Sequence, residues 1–293
     1  MTQPGTPVRL APGVRCILAP NPSPMTYHGT NTYLVGEGRV TVIDPGPALA
    51  DHLGAILGAL GPGEKVDRIV VTHSHLDHSA LARPLAQATG APVLAFGPTG
   101  AGDRPATGAR AALAGGGEGR DGVFMPDERL PDGTFIDTDE PIEVLHTPGH
   151  FGNHICLRWK DMLFTGDHVM GWSTSLVSPP DGDMADYMAS LRRIGKLCVA
   201  RMFPGHGAPI ETPAQRVADL IAHRQSREAA ILAALAEGPA SPEELVRMIY
   251  GELQPGLQRA AERSVLAHLL DLCDHNRVSN PQEHHRSAAY RII

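Results

Sequence analysis

The 293-residue chain has little that would tie it to a disulfide framework, a membrane or a nucleic-acid coat. Its four cysteines, Cys16, Cys156, Cys198 and Cys273, are scattered without a close pair. That argues against a disulfide-stapled scaffold and against a thiolate metal site, and predicts buried or incidental thiols in a reducing cytoplasm. The opening Met1-Thr2-Gln3-Pro4-Gly5 carries no basic segment followed by an apolar stretch, and no run reaches membrane-spanning length, so neither export nor membrane insertion is expected. Positive charge is not in excess either. The net charge is -7, and from His223 to Ile293 eight Arg face nine acids, so charge lends no support to nucleic-acid binding, which depends on clustered Lys and Arg. No internal repeat is visible. What remains is a chain with 42% hydrophobic residues, long enough for one large domain and a small one.

Against this background one stretch stands out. His73-Ser74-His75-Leu76-Asp77-His78 packs three imidazoles and a carboxylate into six residues, directly after the apolar end of Lys65-Val66-Asp67-Arg68-Ile69-Val70-Val71, which reads as a buried strand. In extended chain, residues two apart point to the same side, so His73 and His75 converge on one ion. Asp77 and His78 lie past the strand end, where Ser79 to Ala82 begins a helical run closed by Gly90, and suit a second ion. Neutral imidazole and carboxylate are ligands for Zn(II), and without thiolate also for Fe(II) or Mn(II).

Three further ligand candidates repeat a pattern of strand, small or Pro/Gly turn, then ligand. Ile142 to Leu145 precedes Thr147-Pro148-Gly149-His150, Met162 to Phe164 precedes Thr165-Gly166-Asp167, and Cys198 to Phe203 precedes Pro204-Gly205-His206-Gly207. Layered α/β folds place their chemistry outside strand ends in this way. The adjacent glycines let the backbone bend and leave room for a metal cluster.

These motifs, in this order, resemble those of the metallo-β-lactamase superfamily, and His28 to Val35 and Val42-Ile43-Asp44-Pro45-Gly46 resemble its opening strands, so the resemblance covers residues from about 28 to 210. It implies an α/β fold, a four-layer αββα sandwich with a two-metal site at one edge. His73, His75 and His150 would hold the first metal, Asp77, His78 and His206 the second, and Asp167 would bridge both. The implied chemistry is hydrolysis by a metal-bridging hydroxide, with Asp77 also orienting the nucleophile. Within the superfamily the chain looks most like the β-lactamase-like protein 2 group, described as endoribonucleases, because Asp186-Tyr187-Met188-Ala189-Ser190-Leu191 matches its Asp-Tyr-Met-x-Ser-Leu segment. Residues 172 to 183 depart from that group, which leaves the substrate open. An ester, thioester or phosphodiester is expected first, single-stranded RNA second, with a hydroxyacylglutathione-hydrolase-like thioester as a further alternative. A β-lactam is disfavoured by Asp167, where secreted zinc β-lactamases carry cysteine. A non-catalytic winged-helix regulator is the rival class, opposed by the filled ligand set.

Residues 1–210 therefore read as the catalytic domain and 211–293 as a small helical one. Thr212-Pro213-Ala214-Gln215 carries a helix-start signature, and Val217, Leu220, Ile221, Ile231, Leu232 and Leu235 follow at helical spacing until Gly238-Pro239. Ser241-Pro242-Glu243-Glu244 repeats the capping logic, a third helix runs from about Gly256 to His275, and residues 277–279 and 288–292 suit a short hairpin. Three helices and a hairpin resemble a winged helix; with balanced charge, a wall or homodimer surface beside the active site is preferred to a nucleic-acid grip. Gly97 to Gly122 reads as a surface excursion and His284-His285 as solvated tail. Among other residues, His154 suits donation of a proton to a leaving group, orientation of His150 or a structural role, and His168 should turn away from the ligands by alternation. His28, Asn31 and Thr32 suit a pocket rim or a turn, and Trp172 and Tyr187 a cleft lining or core packing.

Overall fold

The computed structural model describes residues 3–104, 119–280 and 288–293. Most of the Gly97–Gly122 excursion and the His284-His285 pair lie outside the described residues. Strands β1 (Val8–Ala11), β2 (Val14–Leu18), β3 (Asn31–Val35), β4 (Arg39–Ile43), β5 (Lys65–Val70), β6 (Val93–Ala95) and β7 (Glu128–Arg129) form one sheet in sequence order. It is antiparallel through β4 and parallel from β4 to β7. Crossovers through helices α1 (Ala50–Gly58), α2 (Leu76–Ser79) and α3 (Ala82–Thr89) join β4 to β5 and β5 to β6. The second sheet runs β12 (Arg201–Pro204), β11 (Met162–Gly166), β10 (Ile155–Trp159), β9 (Ile142–His146), β8 (Phe135–Ile136), with only β11 and β12 parallel. Helix α4 (Met184–Ile194) makes that last crossover.

Two-residue periodicity decides the layers. Cys16, Tyr33, Ile43 and Val70 point inward and pack with Val144, Leu157, Phe164 and Phe203 between the sheets. Their neighbours Ile17, Leu34, Val42 and Ile69 point outward, where Ile56 of α1 and Leu85 of α3 cover them. On the far side Leu145, Cys156, Leu163 and Met202 are covered by Tyr187 and Leu191 of α4 and by Val217 and Leu220 of α5 (Pro213–Ala236). The result is helix, sheet, sheet, helix, the αββα arrangement expected.

The C-terminal helices α5, α6 (Pro242–Tyr250) and α7 (Pro255–Asp274) share a separate core with Val278 and Tyr290, closed by the antiparallel pair β13 (Val278–Ser279) and β14 (Arg291–Ile292). Ser241 caps α6 as read from sequence: its hydroxyl accepts from the Glu244 N–H while the Glu244 side chain accepts from the Ser241 N–H. Thr212 does not. It makes no side-chain cap, and Gln215 instead donates to Asp219 one turn on, at 2.7 Å. Among the described residues no helix is long and apolar enough to cross a membrane. All four cysteines are free, and burial pushes the Cys16 and Cys156 thiols up to about 12.

Candidate metal centre

All seven side chains singled out by spacing meet at one edge of the sandwich, and they meet as two groups. Past β5 the chain turns so that His73 Nε2 lies 2.9 Å from His75 Nδ1, which in turn lies 3.1 Å from His150 Nε2. Three ligands around a tetrahedral ion with bonds of 2.0–2.1 Å would stand about 3.3 Å apart, so these separations suit a shared ion. Asp77, His78 and His206 form the second group. Asp77 Oδ2 lies 3.4 Å from His78 Nε2 and 3.3 Å from His206 Nε2. Asp167 sits between the groups. Its Oδ2 is 3.7 Å from His150 Nε2, 4.0 Å from His73 Nε2 and 3.3 Å from His206 Nε2, and its Oδ1 is 3.4 Å from His78 Nε2.

Two buried polar atoms here, His78 Nε2 and Asp167 Oδ1, have no hydrogen-bond partner among the described residues. Buried groups are rarely left so unless something else binds them, and a cation between nitrogen and oxygen would satisfy both. The opposite ring nitrogens, by contrast, are held. His150 Nδ1 pairs with the Leu176 carbonyl at 2.7 Å, His206 Nδ1 with the Gly29 carbonyl at 3.0 Å, and His78 Nδ1 with Asp44 Oδ2 at 2.9 Å. Orienting the rings from behind in this way leaves one nitrogen of each free to ligate. The donor set and its orphaned atoms therefore fit divalent metal.

Electrostatics divides the histidines. Burial, reinforced by neighbouring imidazoles, holds His73 well below the ordinary imidazole range and His75 at about 3, and His150 is also lowered by burial. These rings are neutral, the form that ligates. Burial also works against charge on His78 and His206, but carboxylates outweigh it. Asp77, Asp167 and Asp44 raise His78 well above its usual value, and Asp167 and Asp77 raise His206 to about 9. Asp77 and Asp167 are correspondingly held low against the penalty of their burial by His78 and His206.

A pH dependence follows. Without metal, His206 keeps its proton until about pH 9, and an ion held by this ring would have to displace it. Protons thus compete below that pH and cease to compete above it. Apparent metal affinity should rise from pH 6 to pH 9, by up to about tenfold per unit for each proton released. A chelator-competition series giving a flat profile would refute this.

Residues around this cluster also matter. Asp44, at the end of β4 with φ +50, accepts from the Thr72 N–H (2.7 Å) and hydroxyl (2.8 Å) besides pairing with His78. In the sequence Asp44 belongs to an opening-strand motif and carries no mark of this role. His154 Nε2 accepts from the Asp167 N–H at 3.2 Å and its Nδ1 pairs with the Thr147 hydroxyl, so it positions Asp167 rather than His150. His168 does turn away, but because a turn from Thr165 swings it under Tyr187, ring centroids 4.6 Å apart, and not through strand alternation. Tyr187 itself is fully buried and lines no cleft. Trp172 is 36% exposed and stacks on Tyr27 at 4.8 Å. Asn31 fastens the loop bearing His206 by donating to the Pro204 and Gly207 carbonyls at 3.0 and 2.8 Å, while Thr32 holds the Asp44 carbonyl. Asp77, with 27% of its side chain exposed, is the most open carboxylate, and Thr30 steadies it from 3.2 Å.

Glycine makes room for the cluster at one position above all. A Cβ on Gly205 would lie 2.5 Å from Asp167 Oδ1 and 2.7 Å from His78 Cε1. Gly149, with φ +133, instead admits the backbone of α4, 2.3 Å from where its Cβ would be. Gly205→Ala should therefore cost about tenfold or more in metal affinity while the chain still folds, measured by metal analysis beside a thermal melt. Wild-type metal content would show that the space is not needed.

Known proteins share this arrangement. Residues 25–206 match the Metallo-beta-lactamase superfamily, and residues 241–287 match the Beta-lactamase associated winged helix domain. The Beta-lactamase-like protein 2 homolog of Drosophila melanogaster is 34% identical over 90% of this chain and 89% of its own length. An Atrochrysone carboxyl ACP thioesterase of Aspergillus fumigatus is 30% identical over 83% of this chain and 75% of its own. Among solved structures, a beta-lactamase domain protein from Burkholderia ambifaria superimposes with a TM-score of 0.82 at 24% identity, covering 100% of this chain and 95% of that one, a likeness of fold. Fold, ligand-type cluster and sequence agree: the chain belongs to the metallo-beta-lactamase superfamily, as a metal-dependent hydrolase with a C-terminal winged-helix domain.

Proposed function

We propose that the chain is a binuclear hydrolase of an ester, thioester or phosphodiester bond, with residues 1–210 catalytic and 211–293 a helical wall beside the site. The observation that carries this is Asp167, whose one carboxylate faces both groups of ligands while its Oδ1 and His78 Nε2 lack other partners. His73, His75 and His150 would hold the first ion and Asp77, His78 and His206 the second, with the Asp167 carboxylate shared between the two groups. Zn(II) comes first for this nitrogen and oxygen set, before Fe(II) or Mn(II). Bound divalent ions supply a hydroxide nucleophile near neutral pH and polarise the oxygen of the bond being cleaved.

The chain's own residues do the rest. Neutral His73, His75 and His150 present lone pairs without first losing protons. Asp77, open to solvent on one side and held by Thr30 on the other, orients the attacking nucleophile. Arg120, bridged to the His75 backbone, is paired with Asp181 and with Asp103, and Arg104 with Asp186. Cations so engaged offer little to a phosphate backbone, which favours a carbonyl ester or thioester over RNA, in keeping with the thioesterase named among the relatives. The four free thiols accord with a reducing cytoplasmic setting.

Metal analysis of the purified chain should give near two ions per chain. Parallel assays on a generic thioester, a generic ester and a generic phosphodiester, with Zn(II), Mn(II) or Fe(II), should show cleavage of a carbonyl substrate first. Cleavage of none would end the substrate ranking, and an ion-free chain that still hydrolyses would end the metal reading.

A further inference from the structure

The loop from Asp167 to α4 is held by arginines that come from the C-terminal helices. Arg216 of α5 donates to the Met170 and Ser173 carbonyls at 2.7 and 2.6 Å, and Arg263 of α7 donates to the Pro179 carbonyl at 3.0 Å. Between them Arg224 of α5 donates to the Ser175 carbonyl. These are peptide carbonyls rather than carboxylates, so the contacts fix backbone and neutralise nothing.

Arg224 is the informative one. It is 3% exposed, its guanidinium lies 5.1 Å from the Tyr187 ring centroid, and among the described residues no carboxylate forms an ion pair with it. Among the same residues its Nε has no hydrogen-bond partner. Burying a cation on such terms is costly, and an apolar side chain of similar volume would fill the space at less cost. What an apolar residue could not do is hold the Ser175 carbonyl. That carbonyl sits at a junction. The Ser175 hydroxyl reaches the Asp167 carbonyl and lies 2.9 Å from the His168 carbonyl, and the next residue, Leu176, presents the carbonyl that orients His150 Nδ1.

We propose that Arg224 is a positioning residue for the metal centre: by pinning Ser175 from α5, it sets both the backbone of Asp167 and the ring of His150. The C-terminal helices thereby act as a brace on the metal site, with Arg216, Arg224 and Arg263 each donating to a carbonyl of that loop. Arg224 touches neither substrate nor metal; it acts through the two ligands on either side of the junction. A stiff brace matters because misplacing a ligand weakens metal binding even when every ligand is present.

This inference rests on the metal-centre reading above, and the experiment keeps the two apart. Wild type, Arg224→Met, Arg224→Lys and Ser175→Ala are purified as full chains, and Zn(II) affinity is measured by chelator competition alongside circular dichroism and the kcat and KM of a cleaved generic ester or thioester. Arg224→Met is expected to keep its secondary structure and to bind Zn(II) about 10-fold or more weakly, with kcat lowered more than KM is raised. Arg224→Lys, which can still donate to the carbonyl, should recover part of the loss. Ser175→Ala should weaken binding too, and combining it with Arg224→Met should add less than the product of the two effects, because both act on one junction. Arg227→Met, from the same helix but with its guanidinium 5.2 Å from the Tyr250 ring, should bind Zn(II) as wild type does. Wild-type Zn(II) affinity in folded Arg224→Met overturns the proposal. If that variant fails to fold, Ser175→Ala decides, and unchanged affinity there overturns it equally. A wild-type chain that binds no metal would instead sink the metal-centre reading itself.

Discussion

Asp167→Ala should leave a chain that folds, carries fewer than the wild-type number of ions and hydrolyses its substrate on the order of 10³-fold more slowly, a barrier increase of about 4 kcal/mol. Folding should survive because the backbone contacts of residue 167 do not need its carboxylate: the N–H still meets His154 and the carbonyl still meets the Ser175 hydroxyl. The metal site should not survive, since this carboxylate is the group that faces both His150 and His206. Its loss also removes a partner that raises the pKa of His206 and His78, so metal titration should require fewer protons to be displaced. Metal analysis and steady-state kinetics on one preparation check the result. Two ions and near-wild-type turnover in the variant would mean that Asp167 joins nothing.

The second large effect is expected at Asp44, which lies behind the ligands. Asp44→Asn keeps an acceptor for Thr72 and tolerates the positive φ of +50 at this position, but gives up the charge that faces His78 Nδ1. Metal affinity should fall about 10- to 100-fold, as it does when the carboxylate behind a ligating histidine is removed. Asp44→Ala should add a loss of stability on the order of 3 to 5 kcal/mol, because it takes the carboxylate from the buried Thr72 N–H and from the buried His78 imidazole. Chelator competition separates the first effect and denaturant unfolding the second. An Asp44→Asn chain with wild-type affinity would show that His78 is oriented by packing alone.

Much of the ligand cluster was legible because ligation demands particular residue types and because strand and turn geometry leaves a short-range trace. His73, His75, Asp77 and His78 sit within six residues, and His150, Asp167 and His206 each follow a strand and a Pro/Gly turn. The layered fold was legible for the same reason, since Cys16/Ile17, Tyr33/Leu34 and Ile43/Val42 alternate between two cores. Capping was legible only in part. Ser241 and Thr212 carry equally good start signals, yet the structure uses the first and leaves the second without a side-chain cap, its Gln215 side chain turned to Asp219.

The groups that orient these side chains left less of a trace: the sequence singles out His154 alone, and for His150 rather than for Asp167. Asp44 reaches His78 across 34 residues, His154 reaches Asp167 across 13, and Arg224 reaches Ser175 across 49. An aspartate after a strand, a histidine beside one and an arginine on a helix are ordinary in sequence; their roles exist only once distant segments are side by side. Local pattern thus determined which atoms can ligate and which strands carry them, because periodicity and turn chemistry act over a few residues. Tertiary structure alone decided which group braces which ligand, because hydrogen bonds depend on distances and angles that the order of residues does not contain.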